Sequence, residues 1–415
     1  MNDHLGRPRI AVTGIGLVTA LGHDVASSWA GLLAGRSGIR AITRFDTAGM
    51  RSRIGGCVDL PGDRPGRPLS SAERMVALGG MALAQAVAQA GLESPFPGPL
   101  MLGMAPAEIE WPLRQDLLQA ASGPGHDALQ MAAPAVLPEG YTLAAPAQAL
   151  ARRFGTSGFP VAVTTACASG ASAIQLAVEA IRRGEADAVL AGGTEGSMTP
   201  ETMIRFGLLQ ALSSRNDPPE AASRPFTLSR DGFVMGDGAA GLVLERMDSA
   251  LARGAVVLGE IMGVGERADT FHRTRSSPDG LAISGAMRAA LDDAGLGPEA
   301  IGYVNAHGTS TPENDKMEAL AMHQLFGEVC PPISSTKSML GHTLSAAGAI
   351  EAVICLLALR DQMLPPTINQ DDTDAALGLD VVPDVARPHA FGAALSNSFG
   401  FGGQNVCVVL GRAAG

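Results

Sequence analysis

The chain has 415 residues, 46% hydrophobic and 17% charged, and its 30 Lys plus Arg against 41 Asp plus Glu leave a net charge of −11. At roughly 150 residues per domain this length predicts two or three domains with a sizeable core, and the acidic balance argues against nucleic acid as the main partner, because phosphate binding needs a basic face. No run approaches the ~18 apolar residues of a membrane span, and Cys57, Cys167, Cys330, Cys355 and Cys407 include no C-x-x-C pair, which excludes a disulfide scaffold and a zinc ribbon.

The first residues, MNDHLGRPRI, lack an apolar signal core, so a cytoplasmic protein is expected. Arg9–Thr13 reads as a strand. Gly14-Ile15-Gly16 after it has no third glycine at the dinucleotide spacing, so a nicotinamide site is rejected. Met81–Gly91 reads as a helix stopped by its glycine, and the apolar stretch Pro99–Met104 follows. Gly103–Gly140, with five prolines, reads as an excursion from the core. Pro160–Thr164 reads as a strand, Ala168–Arg183 as a helix, and Ala188–Ala191 as the next strand. The runs Arg9–Thr13 and Ala188–Ala191 do not alternate with polar residues, which predicts parallel strands covered on both faces and an α/β class. A helix ending Ala294-Gly295-Leu296 and the stretch Ile301–Ala306 echo the earlier helix and strand. The echo suggests duplication, with halves 1–255 and 256–415.

Three places carry chemistry. Cys167 falls at a strand-to-helix turn, where unpaired backbone N–H groups and the helix dipole favour an anion such as a thiolate. His307 lies past the end of the Tyr303–Asn305 strand, and His342 ends Ile333-Ser334-Ser335-Thr336-Lys337-Ser338-Met339-Leu340-Gly341-His342. Ligands collect at such strand ends in open α/β sheets. The helix Leu344–Leu359 is nearly all apolar and reads as buried. Its Glu351 therefore needs a partner, and Lys337 is the candidate. Only two lysines occur in the chain, Lys316 and Lys337. The loop between Leu395 and Asn405, with three glycines, Phe399 and Phe401, reads as a gate or as a plain hairpin.

Together these pieces resemble the β-ketoacyl-acyl carrier protein synthases, most closely the elongating type II branch. The resemblance rests on TACASG around Cys167, RDGFVMGDGAA at 230–240, NAHGTSTPEND at 305–315, SSTKSMLGH at 334–342 and SNSFGFGG at 396–403. It implies a thiolase-like α/β fold of two similar halves in five layers, α-β-α-β-α, and a homodimer. It implies that Cys167 accepts an acyl chain and that His307 and His342 serve decarboxylation of malonyl-carrier protein. The backbone N–H groups of Cys167 and Phe401 would form the oxyanion hole. Lys337 and Glu351 would be the supporting ion pair, and Asp315 a further supporting residue. Thr274, Thr309 and Thr311 would contact the pantetheine, and Phe399 and Phe401 would line or gate the acyl path. No metal or redox cofactor is implied, and the partner is an acyl carrier protein.

Related branches fit less well. Initiating synthases place Asn where this chain has His342. Degradative thiolases add a second cysteine, whereas Cys407 reads as strand. Non-catalytic chain-length factors lack the cysteine that is present here. A polyketide-type synthase uses the same chemistry and stays open. Departures fall at Gly103–Trp111, at Gln404 and at Gln210, where relatives carry a glycine-rich stretch, Thr and Arg. HLGRPRIAVTG, PAEIEWP, FHRTRSSPDG and FGGQN resemble an alphaproteobacterial branch that elongates very long chains for lipid A on a dedicated carrier. Docking an acidic carrier needs a local basic patch, for which Arg64, Arg67, Arg205, Arg273 and Arg275 are candidates.

Overall fold

Two glycines set the outer frame. Gly91 (φ +66°) and Gly295 (φ +68°) adopt the left-handed backbone that suits glycine, and they close the helices Ser71–Gln89 and Leu281–Ala294. The first helix opens on a capping box between Ser70 and Glu73. The computed structural model describes residues 1–63, 68–111, 114–115 and 142–413. Most of the proline-bearing excursion, including Pro112, Pro124, Pro134 and Pro138, lies outside the described residues.

In chain order the strands are β1 (Ile10–Val18), β2 (Ile39–Ala41), β3 (Ile54–Gly56), β4 (Leu100–Met104), β5 (Val161–Val163), β6 (Ala188–Glu195) and β7 (Gly238–Arg246). They continue as β8 (Gly259–Ala268), β9 (Ile301–Asn305), β10 (Ile333–Ser334), β11 (Met363–Leu364), β12 (Arg387–Pro388), β13 (Ala393–Phe399) and β14 (Gln404–Arg412). Ten of them form one sheet, β10-β9-β13-β14-β8-β1-β7-β6-β4-β5. A three-residue antiparallel pairing of β1 with β8 joins its two arms.

The arms match strand for strand. Moving outward from the join, β1 with β7 and β7 with β6 are antiparallel, then β6 with β4 and β4 with β5 are parallel. The other arm repeats this as β8 with β14, β14 with β13, β13 with β9 and β9 with β10. The predicted parallel strands are thus corrected to a mixed sheet. β1 is antiparallel to both neighbours and is buried along its whole length. Helices cover both faces whatever the strand direction, so an apolar run reports two-sided cover and not parallel pairing.

Helix Ser71–Gln89 packs on β1, β7 and β6, and helix Leu281–Ala294 packs on β8 and β14. Between the arms lie the helices Ser169–Arg182 and Ala347–Asp361, which pack on each other and on strands of both arms. The order of layers is α-β-α-β-α, in line with the α/β expectation. Every residue from Ala347 to Leu359 is buried, as the apolar run predicted. The two inner helices cross closely. A Cβ on Gly170 would sit 2.7 Å from Ala349 N, and one on Gly348 would sit 2.6 Å from Ala171 N. Side chains at these two positions would push the inner helices apart, and both helices carry site residues at their starts.

Candidate active site

Cys167 sits in the single 3₁₀ turn Ala166–Ala168, which follows β5 and runs into helix Ser169–Arg182. Ala166 enters the turn with φ +49°, an uncommon conformation for alanine that swings the next residue out of the strand path. Ser169 Oγ fixes the turn by donating to Ala166 O (2.6 Å) and accepting from Thr165 N (2.9 Å). The predicted strand-to-helix position is therefore observed. The anion-favouring expectation is not met by the electrostatics. Burial pushes the thiol up to about 11, and the neighbouring Glu195 carboxylate adds to this. The backbone N–H of Phe401, the Lys337 ammonium and the N–H of Cys167 itself pull the other way without overcoming it. Burial of an ion outweighs a few favourable dipoles here.

Two loops bring the histidines to this thiol. At the end of β9, Ala306 N donates to Ser334 O and His307 follows. The Glu318 carboxylate accepts from His307 N (2.9 Å), Gly308 N (2.8 Å) and Asn397 Nδ2 (3.0 Å), so it ties the β9 end to β13. Burial raises the pKa of Glu318. His342 is held by backbone pairing: its N donates to Val234 O (2.6 Å) and its O accepts from Gly236 N (2.9 Å). Gly341 before it has φ +74°, and a Cβ there would meet Met235 O at 2.9 Å.

The two imidazoles meet edge to face at 5.2 Å between centroids. Phe399 packs on His307 at 5.5 Å and Phe233 on His342 at 5.3 Å. One donor atom each from Cys167, His307 and His342 lies within 4.8 Å of the others, and all three residues are buried. Burial first, then the Lys337 charge, holds both imidazoles well below the usual histidine range, so both are neutral at pH 7. Among the described residues His307 Nδ1 and both ring nitrogens of His342 have no hydrogen-bond partner. These ring nitrogens are therefore free to donate to or accept from a group in the cavity.

Lys337 and Glu351 form the expected ion pair, each 3% exposed. Burial raises Glu351 to about 7 even though the Lys337 charge opposes the shift. Asp315 is fully buried and accepts from Phe226 N (2.9 Å), with Arg230 3.8 Å away. Burial lifts it to about 6.

Cys167 and Phe401 line two cavities. The larger, about 530 Å³, also holds His307, His342, Thr274, Thr309, Thr311 and Phe399. Thr309 and Thr311 hydroxyls pair at 2.9 Å. Arg273, Arg275 and Lys316 stand on the same cavity and are exposed, whereas Arg205 pairs with Glu108 at 2.7 Å on the other one. Arg64 and Arg67 lie outside the described residues. The smaller cavity, about 300 Å³, reaches from Cys167 toward Glu108 and Glu110. The segment Gly400–Gly403 joins β13 to β14 as a hairpin, which is the plain reading of this loop.

Sequence reasoning missed Glu318 and Glu195. Glu318 stands one helical turn after Asp315, and that spacing was the available signal. Glu195 closes the apolar run of β6, accepts from Ser197 N and Ser345 N, and lines the smaller cavity.

Residues 7–250 match the family described as Beta-ketoacyl synthase, N-terminal domain, and residues 258–371 match Beta-ketoacyl synthase, C-terminal domain. The chain belongs to the β-ketoacyl synthase family. It is 40% identical to a 3-oxoacyl-[acyl-carrier-protein] synthase 2 of Vibrio cholerae, covering 98% of this chain and 100% of that one. It is also 40% identical to a putative polyketide beta-ketoacyl synthase 1 of Streptomyces cyaneus, covering 98% and 99%. Among solved structures, a beta-ketoacyl synthase from Burkholderia phymatum superposes with a TM-score of 0.84 at 34% identity, over 98% of this chain and all of that one. A type II PKS ketosynthase, solved with its acyl-carrier protein and bound to the hexaketide, gives 0.85 at 31% identity, over 98% and 100%.

Proposed function

We propose that this chain is an elongating condensing enzyme, a 3-oxoacyl-[acyl-carrier-protein] synthase acting in fatty-acid biosynthesis. The observation that carries this is the placement of a cysteine at the junction of two cavities, with two neutral histidines facing it in one of them. In the first half-reaction the Cys167 sulfur attacks an acyl thioester. A new C–S bond forms, the old one breaks, and the carrier thiol leaves with the proton. The N–H groups of Cys167 and Phe401 supply the oxyanion site. In the second, malonyl-carrier thioester loses CO₂. His307 and His342 donate to the enolate oxygen that develops, which neutral imidazoles can do. The enolate carbon attacks the acyl carbonyl, the C–S bond to Cys167 breaks, and the departing thiolate takes up a proton from solvent. Thr274, Thr309 and Thr311 hold the pantetheine arm. Burial, aided by the Lys337 charge, keeps the histidines neutral, and Glu351 compensates that charge. Asp315 anchors the Phe226 backbone beneath the His307 loop.

The halves 1–255 and 256–415 act as one unit in this reading, since the first carries the thiol and the second the imidazoles. No metal or redox cofactor has a step, and the substrates arrive on phosphopantetheine. The acyl carrier protein docks where Arg273, Arg275 and Lys316 surround the larger cavity. Reversing these charges raises KM for a carrier-borne substrate and leaves a small thioester analogue unchanged; equal effects on both remove this docking site. A homodimer completes the proposal. β5 ends the sheet, pairs among the described residues only with β4, and is preceded by Phe159 at 94% exposure. No helix among the described residues is long and apolar enough to cross a membrane. Five free cysteines, all buried, suit the reducing cytoplasm.

The decisive experiment is intact-protein mass spectrometry after mixing with acyl thioesters. An acyl adduct on Cys167 that is consumed by malonyl-carrier supports the proposal, and no adduct on any tested length refutes it. Graded chain lengths test the very-long-chain, lipid A-directed reading. A polyketide-type reading has one observation of its own, the equal 40% identity to the Streptomyces cyaneus protein. The mass of the group trapped on Cys167 separates the two.

A further inference from the structure

The smaller cavity presents mostly apolar surface, interrupted by a set of polar and charged side chains. Its walls near Cys167 are apolar, formed by Phe206, Leu209 and Leu344. Farther along, the segment after β4 brings in Glu108 and Glu110, and helix Pro200–Leu208 faces them with Arg205, Thr199 and Thr202 in the lining. Three contacts to two helices hold the segment in place. Glu110 accepts from Ser71 N at 2.5 Å at the start of helix Ser71–Gln89. Glu108 pairs with Arg205 at 2.7 Å, and Trp111 N donates to Glu201 at 2.6 Å. Glu110 is partly buried, and that burial, with the Glu201 and Glu73 charges, raises its pKa.

A methylene chain laid against Glu110 would strip water from a carboxyl group and return no hydrogen bond. A chain carrying a hydroxyl would return one. The hydroxyl both donates and accepts, so it can donate to the Glu110 carboxylate in a lining that also holds Thr199 and Thr202.

We propose that the smaller cavity selects acyl chains that bear a hydroxyl group, with Glu110 as the residue that determines this specificity. The inference rests on the condensing-enzyme reading and names its acyl substrate class. Atoms are conserved as in any acylation: the hydroxyl takes no part in bond making, and its contribution is to binding and orientation of the chain.

The test uses the full-length protein and acyl-coenzyme A thioesters of one chain length. The hydroxyl is moved stepwise along the chain, and the unsubstituted parent is the reference. The rate of Cys167 acylation is read by intact-protein mass. The expected result is at least one positional isomer that acylates tenfold faster than the parent. In Glu110→Leu that ratio falls to one or below, and in Glu110→Gln it is intermediate. The ratio is internal to each variant, so a merely structural role for Glu110 would slow both substrates and leave it unchanged. The proposal is overturned if every isomer is slower than the parent in the wild type, or if Glu110→Leu keeps the tenfold preference. If Glu110→Leu does not fold, the wild-type series and Glu110→Gln decide. Absence of any adduct, parent included, overturns the condensing-enzyme reading itself.

Discussion

The two inner helices begin alike and end up chemically different. Cys167 stands second in the 3₁₀ turn Ala166–Ala168, and Ser345 stands second in the 3₁₀ turn Leu344–Ala346. Each turn opens on a non-glycine residue at positive φ, +49° for Ala166 and +35° for Leu344. Each leads directly into a buried helix between the arms of the sheet. The matching strand order of the arms makes this the same backbone device used twice. What differs is the wall opposite. The Ser345 N–H is capped by Glu195 at 3.1 Å, at the end of β6. The Cys167 turn instead faces the β13–β14 hairpin, where the Phe401 N–H points at the sulfur and no carboxylate among the described residues caps it. A strained turn is therefore not enough to make a nucleophile. The residue carried and the neighbouring donors decide.

The strongest break of this comparison is at the sulfur. Cys167→Ala should abolish the acyl adduct and condensation, while Cys167→Gln should keep malonyl decarboxylation because both imidazoles remain. Combining Cys167→Ala with Ser345→Cys should not restore the adduct, since the second turn lacks free donors. An adduct on residue 345 would show the two turns to be equivalent. Next come the imidazoles. His307→Ala or His342→Ala should each cut decarboxylation by about 10²–10³-fold, the usual effect of one lost oxyanion donor. A loss below fivefold in either, measured as CO₂ release, would remove that residue from the step.

Lys337 lends its charge to the Cys167 turn and pairs with Glu351 on the second inner helix. Lys337→Met leaves Glu351 buried without its partner and should cost about 3–5 kcal/mol by thermal or urea unfolding. Lys337→Arg keeps the charge, yet the planar guanidinium needs more room than a compact ammonium. Turnover should fall with a smaller stability loss. Lys316→Arg at the exposed cavity rim should be milder, and an equal effect would contradict the difference in burial.

Much of this was legible in the residues. Cys167 was readable because small residues follow it at a strand-to-helix turn. The Lys337–Glu351 pair was readable because a lone charge in an apolar helix needs compensation. The helix ends at Gly91 and Gly295 were readable because glycine takes left-handed backbone at no steric cost. Strand direction was not, since cover on both faces produces the same apolar run in β1 whether its neighbours are parallel or antiparallel. Glu318 and Glu195 were missed because their partners, Asn397 and Ser345, are 79 and 150 residues away. The second turn was missed because nothing in Leu344-Ser345-Ala346 announces a positive φ.

The smallest effect is also the finest test of the comparison, and it concerns the charge that one turn lends the other. Burial sets the Cys167 thiol at about 11, and the Glu195 carboxylate is among the causes that raise it. Because the thiolate is the reactive form, alkylation of Cys167 by iodoacetamide should climb about tenfold per pH unit from pH 7 to 9 without a plateau. Peptide mapping separates it from the other four cysteines. Glu195→Gln removes the negative charge but keeps an acceptor for Ser345 N. The thiolate is then less opposed, its pKa falls, and at any pH in that window alkylation should be faster, about two- to fivefold. The sign is the point of the measurement. Slower alkylation would mean that the cap on the second turn supports the thiolate of the first, and the division of labour between the two turns would have to be redrawn.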